Sequence, residues 1–325
     1  MILAGDIGGT KTTLSLQQKQ ADGSLTCLLE QTFASQDYPQ FDAVLAAFLP
    51  KDIAITSACF GIAGPVVNQR CQTTNLPWLV DGEHLKQQLK TEQVKLLNDL
   101  EAMALGMLVL PEHDLVELNP NAQTQTGNIA VIAAGTGLGE AILYWDGKQH
   151  LPMATEGGHS DFAPLTSQQD LLLGYLRQRF TEHVSYERIL AGVGFSHLYD
   201  FLVEYGFAPA CLAVPEIGSP DIDRNAVISR LGINGEDALC AEAVRLFVEI
   251  YGAEAGNLAL KSLAVGGVFI GGGIGPKIRT ALESGAFMQA FTSKGRFAPL
   301  LSTVSVKLAT NPRTPLLGAI NYFNG

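Results

Sequence analysis

Positive charge is scarce in this chain of 325 residues: 21 Lys and Arg stand against 32 Asp and Glu, a formal net charge of −11. Such a surface repels nucleic acid and anionic lipid headgroups, so neither nucleic acid nor membrane is expected as a partner, and a phosphate ligand must be held by local groups. Long apolar runs are missing too. No stretch of 18 apolar residues occurs, and the helical stretch 237–261 carries Glu242, Arg245, Glu249 and Glu254, which excludes a membrane span there. The start, Met1-Ile-Leu-Ala-Gly-Asp6, has no basic region and meets a carboxylate at once, so no signal peptide is expected and the reading is cytoplasmic. Cysteine is sparse. Cys27, Cys59, Cys71, Cys211 and Cys240 are odd in number, widely spread and without a CxxC pair, which argues for buried reduced thiols over a disulfide framework or zinc site. Also absent are a GxxxxGK[ST] P-loop, a complete GxGxxG dinucleotide fingerprint, a GxSxG elbow, HExxH and a Cys/His pair.

What is present is a chain 47% hydrophobic and 16% charged, enough for two domains with real cores. Short apolar runs bounded by glycine alternate with amphipathic stretches, the pattern of α/β architecture. Strands are expected over 2–5, 12–16, 53–61 and 94–97, with helices over 41–48, 81–90 and 100–108. A strand over 129–133, a turn through Gly135-Thr-Gly-Leu-Gly139 and a return strand over 141–145 echo the opening meander and suggest two similar halves. Helices dominate from Ser167 until a strand over 265–270, and a strand over 304–308 and a helix over 315–322 close the chain.

Three glycine clusters carry the chemistry. Asp6-Ile-Gly-Gly-Thr-Lys-Thr12 follows a strand, and its glycines let backbone N–H groups approach a polyanion; Gly135-Thr-Gly-Leu-Gly139 repeats the arrangement and adds the Thr136 hydroxyl. Either loop alone reads better as a tight turn, and only the pair points to a triphosphate. In Val265-Gly-Gly-Val-Phe-Ile-Gly-Gly-Gly-Ile274, dense strand packing and contact with a flat nucleoside stand side by side. Asn98-Asp99 ends a strand where α/β sheets present polar groups to a ligand; Asp99 suits a base taking a hydroxyl proton, and a helix N-cap is the competing role. Glu156-Gly-Gly-His159 sits in a bend that exposes both polar side chains. In His183-Val-Ser-Tyr-Glu-Arg-Ile-Leu190, Ser185 is the expected N-cap of a helix with Glu187 in its first turn. Asn, Glu, His and Glu together offer the mixed donors and acceptors that a polyol needs.

The order of these segments, with Leu97-Asn-Asp-Leu-Glu-Ala102, resembles the bacterial glucokinases of the hexokinase, heat-shock-protein and actin superfamily, over nearly the whole chain. The resemblance implies an α/β fold of two ribonuclease H-like lobes, the actin-like ATPase or hexokinase fold, with an active-site cleft between lobes. Residues 1–109 with 310–325 would form a small α/β lobe and 110–309 a large one, the C-terminal helix packing back on the first. It implies ATP and Mg²⁺ as cofactors, a homodimer, and transfer of a phosphoryl group to the 6-hydroxyl of glucose with Asp99 as catalytic base. By position, Asn75 in Thr74-Asn-Leu-Pro-Trp78, Asn98, Glu156, His159 and Glu187 would bind the sugar. Asp6 would orient the metal through water, and Gly8, Gly9, Thr10, Lys11, Thr12, Gly135, Thr136 and Gly137 would bind ATP phosphates. Gly271, Gly272 and Gly273 would border the adenosine. The cysteine-rich zinc motif of the related repressor and sugar kinase group does not follow His159, and the chain starts at its phosphate loop, with no room for a DNA-binding helix-turn-helix. A kinase for another hexose, a non-catalytic sugar sensor and an actin-like ATPase remain the alternatives, the last of which should lack the set Glu156, His159 and Glu187.

Overall fold

The computed structural model describes residues 1–51, 53–219 and 222–324. Two units divide the chain: Met1–Glu112 with Pro152–Ala154 and Asn311–Gly325, and His113–Leu151 with Thr155–Thr310.

The first unit opens with a meander of β1 (Ile2–Ile7), β2 (Lys11–Lys19) and β3 (Leu25–Ala34), each pairing antiparallel with the next. After helix α1 (Phe41–Phe48), β4 (Ser57–Ile62) lies parallel to β1. A ribbon of β5 (Arg70–Gln72) and β6 (Leu79–Asp81), helix α2 (Gly82–Leu89) and β7 (Val94–Asn98) follow, and α3 (Asp99–Met107) leaves the end of β7. The sheet order is β3-β2-β1-β4-β7. Alternation along β1 decides which layer each side chain joins: Leu3 and Ile7 enter a core with α1, whereas Ala4 faces the other side with Cys59, Leu97 and the C-terminal helix Thr314–Asn321. Small residues on that second face let α3 and the C-terminal helix lie close. Gly106 of α3 faces the carbonyl of Thr314, and Gly318 faces that of Ala102.

The second unit repeats the plan. β8 (Leu115–Glu117) precedes the meander of β9 (Ile129–Ala134), β10 (Leu138–Trp145) and β11 (His150–Ala154), of which Pro152–Ala154 counts with the first unit. Helices α4 (Ser167–Arg179), α5 (Gly194–Glu204), α6 (Arg224–Ile233) and α7 (Ala238–Ser262) lead to β12 (Gly267–Gly271), parallel to β9. Short helices α8 (Arg279–Leu282), α9 (Ala286–Thr292) and α10 (Ala298–Leu301) precede β13 (Val306–Ala309). The order β11-β10-β9-β12-β13-β8 reproduces that of the first sheet with one antiparallel strand added. The echo between the two glycine turns is therefore one of topology. Helix α7 is buried over most of its length and is the spine of this unit's core.

Three expectations need correcting. The strand expected over 53–61 begins only at Ser57, because its parallel partner begins at Ile2, directly opposite. The return strand begins at Leu138, since the hairpin closes over Gly135–Gly137 and pairs Leu138 with Ala134; Gly139 thus lies inside the strand. Of the cysteines, Cys59, Cys71 and Cys240 are buried and Cys211 partly so, but Cys27 is exposed on the sheet-edge strand β3. Among the described residues no helix is long and apolar enough to cross a membrane.

Candidate active site

In the first unit the parallel register sets one row at the carboxyl ends of the strands: Ile7 lies opposite Ile62, and Ile62 opposite Asn98. With strands about 4.8 Å apart, the end of β1 and the start of α3 stand roughly 10 Å from each other, the width of a small ligand. Asp6 sits beside this row, half-buried. Its carboxyl is pushed up to about 6, first by burial and then by the negative charge of Asp99. Two carboxyls that resist being charged together suit a divalent cation, whose charge would relieve both.

The loop between β1 and β2 is braced from below. Gly8 N–H donates to the Lys11 carbonyl at 2.9 Å, Ser35 Oγ donates to the Gly8 carbonyl at 2.7 Å, and Ser35 N–H donates to the Thr10 carbonyl at 3.0 Å. Thr12 is fully buried with its hydroxyl 2.9 Å from Ser35 Oγ, so its side chain stands under the loop, while Thr10 and Lys11 are exposed. Asn75 is exposed beside Gly9, where an added Cβ would fall 2.8 Å from Asn75 Cβ. Buried Trp78 anchors that segment by donating from Nε1 to the Tyr38 carbonyl at 3.0 Å. Ser35 and Trp78 escaped the sequence reading because both act through partners distant in the chain.

At Asn98-Asp99 the competing roles separate. Asn98 is the N-cap: its Oδ1 accepts Glu101 N–H at 2.6 Å, and Glu101 Oε2 accepts Asn98 N–H at 2.9 Å, a complete capping box. The cap uses only the amide oxygen, which leaves Nδ2 as a donor for a ligand. Asp99 is the first helical residue, and its Oδ1 accepts Leu100 N–H at 3.0 Å.

In the second unit Glu187 joins two motifs. Its Oε2 accepts Leu138 N–H, at the end of the Gly135–Gly137 turn, at 3.0 Å, while Oε1 lies 3.7 Å from His159 Nε2. Residues 156–162 and 184–188 zip together to set this up: Tyr186 N–H donates to the Ser160 carbonyl at 3.1 Å and Phe162 N–H to the Val184 carbonyl at 2.9 Å. Ser185 stands at the expected N-cap position with Glu187 in the first turn, but the element it opens is only the single 3₁₀ turn Tyr186–Arg188 and its side chain makes no cap hydrogen bond. Glu156 and His159 are exposed at the ends of the 3₁₀ turn Gly157–His159, as expected, but the intervening glycines serve another purpose. A Cβ on Gly158 would fall 2.0 Å from the Leu138 carbonyl, and one on Gly157 2.0 Å from Glu140 Oε2, so the turn rests directly on β10. Gly158→Ala should therefore lift the turn and raise the sugar KM more than the ATP KM, measured by steady-state kinetics.

Gly271, Gly272 and Gly273 end β12 against the same hairpin. Gly272 has φ +81, and a Cβ there would fall 2.2 Å from the Ala134 carbonyl; Ile274 N–H donates to that carbonyl at 3.1 Å. Gly192 N–H donates to the Gly135 carbonyl at 2.9 Å. Beside these turns opens a cavity of about 420 Å³ lined by Gly192, Phe195, Asn225, Ser229, Ile274 and Lys277, a volume that suits a nucleoside. The side chains of α6 in this lining carried no recognisable motif in the sequence.

The sequence model of the family described as Glucokinase matches residues 3–325. The chain belongs to the glucokinase family. A glucokinase from a Nostoc species is 38% identical over 333 residues, covering 98% of this chain and 97% of that protein. The glucokinase of Psychromonas ingrahamii is 36% identical over 98% of this chain and 96% of its own length. Among solved structures, a glucokinase from an Antarctic psychrotroph matches with a TM-score of 0.86 at 31% identity, covering 100% of this chain and 99% of that one. A glucokinase from Balamuthia mandrillaris, solved in complex with glucose, matches at a TM-score of 0.78 and 20% identity over 100% of this chain and 93% of its own, a likeness of fold alone. As a member of this family the chain is an enzyme, a glucokinase on the actin-like ATPase fold.

Proposed function

We propose that this enzyme transfers the γ-phosphoryl group of Mg-ATP to the 6-hydroxyl of D-glucose, giving glucose 6-phosphate and ADP, with Asp99 as the base. The observation that carries this reading is the row at the carboxyl ends of β1, β4 and β7, which sets Asp99 and the phosphate loop at one edge of one sheet. A hydroxyl is a poor nucleophile, so a carboxylate that accepts its proton as the phosphoryl group arrives lowers the barrier. Asn98 Nδ2 and the exposed Asn75 donate to sugar hydroxyls, and Glu156, His159 and Glu187 accept from and donate to others. Gly8, Gly9, Thr10 and Lys11, with Gly135, Thr136 and Gly137, hold the phosphates over the buried Thr12, while Gly271, Gly272 and Gly273 border the adenosine next to the 420 Å³ cavity that Ile274 lines. Asp6 would hold the magnesium ion through water, and the bound ion supplies charge neutralisation on the phosphates. The resemblance further supports a cytoplasmic homodimer that feeds glycolysis.

A coupled assay of ADP release with ATP and magnesium, run with glucose, other hexoses and no sugar, tests the reading. Rapid release that depends on glucose is expected. A faster rate with another hexose would reassign the substrate, release indifferent to sugar would indicate an ATPase, and no release would indicate a sensor.

A further inference from the structure

Glu140 belongs to no motif, yet it is a carboxyl 2% exposed in the middle of β10. Its surroundings tie it to the sugar-binding turn from two directions. Its carbonyl accepts the Thr155 hydroxyl at 2.9 Å, and Thr155 Oγ1 in turn accepts Gly157 N–H at 3.1 Å. Its Oε2 occupies the space beside Gly157 that a Cβ there would enter, 2.0 Å from where that atom would fall, while Oε1 is buried with no hydrogen-bond partner. An apolar residue of this size would do for packing; a carboxyl here is costly unless it is neutral.

Helix α7 supplies the other side of the environment: Glu254, Lys261 and Tyr251 face Glu140 from that helix. Glu254 is fully buried and linked to Asn257 at 2.8 Å and to Lys261 at 3.3 Å. Asn257 bonds the Tyr186 hydroxyl at 3.1 Å and accepts from Lys294 Nζ at 2.6 Å, and both Tyr186 and Lys294 also act on Glu254 directly. Tyr251 is occupied with the backbone of β9, its oxygen accepting Ala134 N–H at 3.2 Å. One buried network thus supports both the turn that carries His159 and, through Tyr186, the neighbouring residue Glu187.

We propose that Glu140 is a positioning residue for glucose: its neutral carboxyl holds the Glu156–His159 turn in the sugar-binding geometry, and ionisation releases that turn. The assignment rests on the functional reading above. Burial, followed by the negative charge of Glu254, pushes the Glu140 carboxyl up to about 8, with Lys261 opposing. The folded protein therefore keeps this proton through neutral pH and gives it up above about pH 8, where two buried carboxylates would face each other. The sign follows: sugar affinity is full below that pH and falls above it, while the nucleotide, reached from Glu140 only indirectly through Glu187 and Leu138, responds far less.

The test is steady-state kinetics with glucose and ATP varied separately from about pH 6 to about pH 10, with glucose Kd by calorimetry. In the wild type the glucose KM and Kd should climb by up to about tenfold per pH unit on the alkaline side, as for a one-proton requirement, with the ATP KM flat. Glu140→Gln keeps the shape and cannot ionise, so its glucose KM should stay flat. Glu140→Ala should raise it at every pH without the alkaline limb. An alkaline limb in Glu140→Gln like that of the wild type, or a parallel climb of both substrates' KM, overturns the proposal. If Glu140→Ala does not fold, the comparison of Gln with wild type decides alone. Absence of glucose-dependent ADP release at neutral pH would sink the kinase reading and this proposal with it, whereas normal release with a pH-independent glucose Kd would overturn the role of Glu140 only.

Discussion

Asp99→Asn is expected to cut kcat about a thousandfold, roughly 4 kcal/mol of barrier, while the glucose Kd moves little. The substitution preserves size and shape. Helix α3 should not suffer, because its cap is Asn98 and its capping box is completed by Glu101. The oxygen that accepts Leu100 N–H can also be kept by an amide. What is lost is the capacity to take a proton from the attacking hydroxyl, so the effect falls on turnover and not on binding. Single-turnover kinetics and calorimetry separate the two, and near-normal kcat would remove Asp99 from the role of base.

Gly106→Ala should rank among the most destabilising single added methyl groups in the first unit, with Gly318→Ala. Its Cβ would lie 1.9 Å from the carbonyl oxygen of Thr314 and 2.8 Å from the carbonyl carbon, both backbone atoms that cannot swing away. Helix α3 and the C-terminal helix would have to separate, opening the layer of Ala4, Cys59, Leu97 and Leu316 behind them. Overpacking against backbone costs about 3 kcal/mol, and intrinsic helix propensity, which favours Ala over Gly by about 1 kcal/mol, offsets only part of it. Chemical denaturation followed by circular dichroism measures the change; a variant as stable as the wild type would show that the helices do not meet at this glycine.

Much of the fold was legible because its signals are local. The helix over 41–48 matches α1 at both ends, and the glycine turns after β1 and β9 produced the expected hairpins, since periodicity and turn chemistry act within a few residues. Of the candidate site, the placement of Asn98-Asp99 at a strand end was legible, because the motif coincides with the end of β7. It was not legible where a partner far along the chain decides. Ser185 takes the cap position its residue type suggests, but the element after it is one 3₁₀ turn and not a helix, in a segment held by the bonds of Tyr186 to Ser160 and Phe162 to Val184. The glycines at 157 and 158 signalled a bend, whereas their use is close approach to β10. Glu140 appears in sequence as one acid in an apolar strand, and its meaning comes from Glu254 on α7.

The bidentate position of Glu187 has a thermodynamic consequence. One oxygen holds the amide after the Gly135–Gly137 turn and the other faces His159, so in the proposed roles a hydroxyl that draws this carboxylate toward the sugar also changes how firmly the turn is held. Linkage then requires reciprocity: whatever factor bound glucose applies to nucleotide affinity, bound nucleotide applies to glucose affinity. Order of addition becomes a matter of kinetics alone, and the two substrates report on each other through a single side chain.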